Sequence, residues 1–133
     1  MKTLFKAKER YSNEWLQGLP AYPHITDTEK GVETYYFYEN KEGAIFQRIV
    51  SAETLCQYID RTDINGNMIF ENDIVRNGSR TFIIHYYAPF AMYMLKAIKN
   101  GGGSNGMNIQ FRECEVIGNI FDNPELLQKE GEE

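Results

Sequence analysis

The stretch Ile74-Val75-Arg76-Asn77-Gly78-Ser79-Arg80-Thr81-Phe82-Ile83-Ile84-His85-Tyr86-Tyr87 decides the fold class. Two runs of β-branched and aromatic residues flank one turn signal. Such side chains fit a pleated, half-buried surface. Asn and Gly tolerate the positive φ that a type I′ turn requires twice, so Asn77-Gly78 predicts a tight hairpin. Within Arg80–Tyr87, Phe82, Ile84 and Tyr86 share one face, and Thr81, Ile83, His85 and Tyr87 share the other. Both faces are substantially apolar, which predicts a central strand or a barrel wall rather than a solvated edge. On such a strand His85 reads as a half-buried histidine with its hydrogen bonds satisfied, not as a ligand.

Working outward, the same chemistry recurs. Eight Phe, nine Tyr and one Trp make up 14% of the chain. Strands are expected at Val32–Tyr38, Ala44–Val50, Ile74–Arg76, Arg80–Tyr87, Phe90–Ile98 and Ile109–Phe121. Glu39–Gly43 reads as a hairpin loop. Ala88-Pro89 interrupts the following pair, because proline cannot donate to a ladder. In Ile109–Phe121 the apolar phase slips, and a bulge or corner near Arg112–Glu113 would account for it. Helix is scarce. Ser51 is positioned to cap a short helix through Ala52–Tyr58. Asn123-Pro124-Glu125 is a compact helix start, with Asn as N-cap and Pro at the first position. Residues 8–30 show no clear period and read as an irregular N-terminal segment packed by Trp15 and Leu16. Asn100–Gly106 is a glycine-rich loop.

At 133 residues, the chain is expected to be one domain with a real core. The expected subdivision is an N-terminal irregular segment and hairpin at 1–50, a motif-bearing core at 51–127 and an acidic tail at 128–133. The net charge is −5, of which −3 falls within Glu125–Glu133. A body so weakly charged argues against non-specific nucleic-acid binding, which needs clustered cations. No apolar run is long enough for a transmembrane helix. The N-terminus, MKTLFKAKERYSNEW, turns charged after two apolar residues and lacks a signal peptide's apolar stretch, so a cytoplasmic location is expected.

Motifs for chemistry mostly fail. Cys56 and Cys114 belong to no CxxC pair and His24 and His85 lie far from both, so no zinc site and no metal are expected. Asp63-Ile64-Asn65-Gly66 resembles the middle of a calcium loop. Its frame, however, puts Arg61 where the first Asp belongs and Asn72 where a bidentate Glu belongs. It reads instead as a tight turn entering a strand at Met68–Phe70. Glu113 and Glu115 share a strand face and read as a solvated edge. No phosphate loop, dinucleotide fingerprint or nucleophile elbow occurs. No cofactor, no catalytic residue and no enzymatic activity are expected.

Two segments together carry a family resemblance. The first runs Ala52-Glu53-Thr54-Leu55-Cys56-Gln57-Tyr58 and then Thr62-Asp63-Ile64-Asn65-Gly66-Asn67-Met68-Ile69-Phe70-Glu71-Asn72-Asp73-Ile74-Val75. The second runs Cys114-Glu115-Val116-Ile117-Gly118-Asn119-Ile120-Phe121-Asp122-Asn123-Pro124-Glu125-Leu126-Leu127. They resemble the YopX family of phage and prophage proteins, and Phe5-Lys6-Ala7 is similar to that family's opening strand. The chain departs from the pattern where Leu55-Cys56 replaces Val-Gly, and where Asp60 and Asn72 replace glycines. The resemblance implies a mainly β (α+β) fold with an SH3-like or small β-barrel core and a short C-terminal helix. It implies a phage-borne gene and no defined activity. The matched residues Gln57, Tyr58, Asp63, Asn65, Gly66, Asp73, Gly118, Asn119, Asn123 and Pro124 all read as structural.

Three functions remain to weigh. The first is a non-enzymatic accessory protein that binds a host or phage protein and forms a homo-oligomer. Its warrant is the aromatic surface of Tyr35–Tyr38 and Phe90–Leu95, in excess of what a small sheet buries. The second is a nucleic-acid-binding small barrel, which requires Arg48, Arg76, Arg80, Lys96, Lys99 and Arg112 to converge near Tyr86, Tyr87 or Tyr93. The third, an enzyme, requires a pocket joining His85 to Cys114 or Glu115.

Overall fold

The computed structural model describes residues 2–27, 31–98 and 108–127. The glycine-rich loop, Lys99 and the acidic tail lie outside them. Ten antiparallel strands run through the described residues: β1 Phe5–Lys8, β2 Trp15–Asp27, β3 Gly31–Lys41, β4 Ala44–Ser51, β5 Cys56–Thr62, β6 Met68–Phe70, β7 Asp73–Asn77, β8 Arg80–Tyr87, β9 Met92–Ala97 and β10 Glu115–Asn119. The chain divides into two compact units, Met1–Tyr58 and Ile59–Glu133.

In the first unit the strand order is β4-β3-β2-β1-β5. Here the irregular N-terminal segment is corrected to the longest strand among the described residues, β2, with thirteen residues. Its period of two is masked in sequence by Pro20 and Pro23 and by three register shifts against β3. Each shift moves the following side chains to the other face. Gly18 is required by this pairing, because a Cβ there would lie 1.9 Å from the Tyr38 carbonyl oxygen. The β3–β4 hairpin is tighter than expected. Pairing continues to Lys41↔Ala44, and Glu42 and Gly43 both take positive φ, +54° and +83°, as a two-residue I′ turn requires. The core of this unit is Ala7, Leu16, Phe37 and Val50.

The helix expected after Ser51 is a single 3₁₀ turn, Ala52–Thr54, with no side-chain cap from Ser51. Thr54 accounts for the difference. Its hydroxyl donates to the Ser51 carbonyl at 2.8 Å and accepts the Lys8 N–H at 2.9 Å, turning the chain back toward β1. The following residues form β5, which pairs Cys56 with Lys6 and Gln57 with Phe5.

In the second unit β5 continues past Tyr58 and neighbours β6, while β7–β10 form a sheet in the order β10-β7-β8-β9. The hairpin at Asn77 exists, but Asn77 pairs with Arg80, and only Gly78 takes positive φ, +62°. That is the II′ pattern rather than I′. Val75, Phe82, Ile84 and Leu95 project from one face onto Ile59, Ile69 and Cys114, forming the core. The phase slip in the last strand has two parts. Phe111–Glu113 is a 3₁₀ turn, and the bulge lies at Ile117, between Val116↔Val75 and Gly118↔Ile74. The expected C-terminal helix is a 3₁₀ turn over Pro124–Leu127 in the described residues.

The barrel expectation is corrected as well. Closure requires the outermost strands to pair. Among the described residues β9 pairs only with β8 and β10 only with β7, so the sheet stays open. The fold is mainly β, with two antiparallel sheets; in the first, Glu9, just after β1, bridges to Val50 of the outermost strand β4 without closing a full ladder.

Candidate functional site

Three arrangements stand out, beginning with the matched motif residues. Asp63 is buried, 4% exposed. Its carboxylate accepts the N–H groups of Asn65 at 2.9 Å, Asn67 at 2.8 Å and Val116 at 2.9 Å. Burial alone would push its pKa up. The bonds from Val116, Asn67 and Asn65 outweigh burial and hold the carboxyl below its ordinary value. Gly66 closes the turn at φ +82° and donates to the Asp63 carbonyl. Asp73, equally buried, accepts the Phe70 N–H at 2.8 Å. Asn119 accepts the N–H groups of Phe121 and Asp122 and donates to the Asp122 carboxylate. Asn123 does not cap forward as expected. Its side-chain oxygen reaches back to the Asn119 N–H at 3.2 Å.

In the first unit Tyr58 donates its N–H to the Leu4 carbonyl, and Gln57 lies opposite Phe5. Pro124 starts the last 3₁₀ turn. The motif residues thus pin turns and strand ends. Asp60 and Asn72, where the sequence departs from the family's glycines, adopt φ of +62° and +72°. Asn and Asp are the residues that best replace glycine there, so the turn geometry survives the departures.

The second arrangement is a bare sheet face in the first unit. Leu19 pairs with Tyr38, and Tyr22 with Tyr36, so these four side chains share one face. Ile45, two residues past the hairpin turn, joins the same face through the β3–β4 register. Exposures of 46% for Leu19, 51% for Tyr22, 42% for Tyr38 and 71% for Ile45 leave the strip uncovered. Tyr35 and Phe37, by contrast, point into the core. The strip ends at β4, whose pairing with β3 has no bulge; on its other edge Glu9 bridges to Val50 and the Arg10 N–H donates to the Ile49 carbonyl at 2.9 Å.

The third arrangement is a groove of about 460 Å³ in the second unit. Tyr93, Ile109 and Phe111, which pack against the core of the unit, line it together with Met92 and Met94 from the other face of β9 and with Arg61 and Arg112. The Arg61 guanidinium donates to the Asp60 carbonyl at 2.8 Å. No carboxylate pairs with Arg61 or Arg112 among the described residues. No motif in the sequence signalled this groove, because its sides come from segments about fifteen residues apart.

Two of the residues weighed for chemistry have shifted titrations. Burial, then the charges of Glu113 and Asp63, push the Cys114 thiol up to about 11, so it stays protonated at neutral pH. Burial and then Lys96 lower the pKa of His85. Among the described residues no three His, Cys, Asp or Glu side chains form a metal set. Of the six cations named for nucleic acid, three are engaged. Arg48 pairs with Glu39, Arg76 pairs with Glu115, and Arg80 lies over the Phe82 ring.

A protein of two antiparallel sheets, with buried polar side chains pinning its turns, defines the class. The chain belongs to the YopX family: the YopX protein model matches residues 4–128. Among solved structures the chain is similar to the crystal structure of protein EF1440 from Enterococcus faecalis. The two share 24% identity and a TM-score of 0.53, over 96% of this chain and 99% of that one. That likeness is one of fold. No curated protein matches the chain.

Proposed function

We propose that this is a phage- or prophage-encoded accessory protein of the bacterial cytoplasm that acts by binding, without catalysis, and self-associates through the β2–β4 face. The observation that carries the reading is the exposed strip of Leu19, Tyr22, Tyr38 and Ile45, running to a strand whose outer edge is met by Glu9 and Arg10 at Val50 and Ile49 and whose Ala44–Gln47 half pairs with β3 alone among the described residues. Edge strands in monomers are commonly blunted by bulges, proline or short length. β4 has eight residues and neither a bulge nor a proline. Antiparallel pairing of β4 with the same strand of a second copy is two-fold symmetric, so the contact closes as a dimer instead of propagating. Tyrosines are enriched where such surfaces meet.

Light scattering at low salt and at about 0.5 M salt, with and without mixed nucleic acid, tests this reading. A dimer that resists salt, ignores nucleic acid and dissociates in Ile45→Lys is the expected result. A monomer overturns self-association. A monomer that gains mass with nucleic acid only at low salt establishes the phosphate-binding alternative in its place.

A further inference from the structure

The groove beside β9 has a chemistry that self-association through β2–β4 does not use. Its sides are apolar and adaptable. Met92 and Met94 contribute flexible, polarisable side chains that refit around differently shaped bodies. Tyr93 and Phe111 add aromatic surface that packs against the core of their unit. Its volume, about 460 Å³, falls in the range of small-molecule sites. Arg61 and Arg112 add two positive charges without carboxylate partners among the described residues. An apolar cleft with unneutralised guanidiniums at its lining complements one kind of ligand. That ligand has an apolar body and a single anionic head, which a guanidinium fork can meet with two parallel hydrogen bonds. The chain's net charge of −5 disfavours a polyanion.

We propose that the groove lined by Met92–Met94 and Ile109–Phe111, with Arg61 and Arg112, is a binding site for a small amphipathic molecule with one anionic head group. A medium-chain acyl carboxylate and an alkyl phosphate share the required chemistry. The apolar body lies against Tyr93, Ile109 and Phe111 beside the β9 strand that carries Met92 and Met94, and the head group reaches an arginine. Binding here involves no covalent step.

Calorimetry on the full-length protein tests this with four probes below their micelle thresholds: decanoate, decyl phosphate, decanol and decyltrimethylammonium. Methyl NMR of the methionines reports location in parallel. Decanoate or decyl phosphate is expected to bind at least about tenfold more tightly than decanol. The cationic probe is expected not to bind, and the Met92 and Met94 methyl signals are expected to shift. Whichever anion binds better identifies the head group. Arg61→Gln and Arg112→Gln each replace an exposed side chain, so both variants should retain the wild-type circular dichroism. At least one should weaken the anion about tenfold while leaving decanol unchanged. Equal affinity for decanoate and decanol, no shift at Met92 and Met94, or unchanged anion affinity in both arginine variants overturns the proposal. So does self-association that Met92→Glu abolishes, since a second copy would then fill the groove. Ile45→Lys should leave anion binding intact, which separates this site from the dimer face.

Discussion

Asp63→Ala is expected to be among the most damaging single substitutions in the second unit. Three backbone N–H groups converge on one buried carboxylate. Asn65 and Asn67 lie on an exposed turn, so their N–H groups regain water when the acceptor goes. Each then loses only the net worth of its bond, about 0.5–1.5 kcal/mol. Val116 is different. Its N–H belongs to β10, 53 residues away in the chain, and without Asp63 it keeps no acceptor in that direction. Leaving it unmet costs about 1–3 kcal/mol. Together these give a loss of about 2–6 kcal/mol. Urea unfolding at pH 7 measures it. With m near 2 kcal/mol per M, the midpoint should fall by about 1–3 M at unchanged m. The pH dependence supplies a second reading with a definite sign. The carboxyl titrates at 3.8 in an unfolded chain and lower in the fold. In that window the unfolded chain binds the extra proton. The stabilisation is therefore complete above pH 3.8 and is lost as pH falls through the folded value. The gap between wild type and Asp63→Ala should narrow over that window. A midpoint within about 0.25 M of wild type at pH 7, or a gap that does not narrow in acid, refutes the role assigned to the carboxylate.

Asp73→Ala removes the buried acceptor of the Phe70 N–H and should cost about 2–4 kcal/mol in the same urea assay. Gly118→Ala places a Cβ 2.4 Å from the Asn123 side-chain oxygen. It should lower stability by about 1–3 kcal/mol, and combining it with Asn123→Gly should recover part of that loss in a double-mutant cycle. Cys114, with its thiol held up at about 11, should resist iodoacetamide in the native protein at pH 8 and react on addition of urea, as mass spectrometry would show. Ala91 sits at φ +50°. Ala91→Gly should raise the urea midpoint slightly, because relief of a left-handed strain of about 1–2 kcal/mol exceeds the added chain entropy of about 0.5–1 kcal/mol.

Much of the motif was legible locally, since a carboxylate and the N–H groups it collects often lie within a few residues. Asp63 with Asn65 and Gly66, the start of β7 at Asp73, and the turn after Asn119 are of this kind. The bond from Val116 to Asp63 was not, because no local pattern marks a partner 53 residues away. The groove was illegible for the same reason. Tyr93 and Phe111 are ordinary aromatic residues until folding packs both against one core.

The sequence by itself determined that the protein is built of strands, where its main hairpins turn and which family it joins, because period, turn chemistry and short motifs act within a few residues. It did not determine β2, whose bulges and prolines erase the period, or β5, whose strand form depends on Lys6 and Phe5 as partners. Nor did it determine that the sheet stays open or that Leu19, Tyr22, Tyr38 and Ile45 share one bare face. Those outcomes are set by register, and register exists only when distant strands meet.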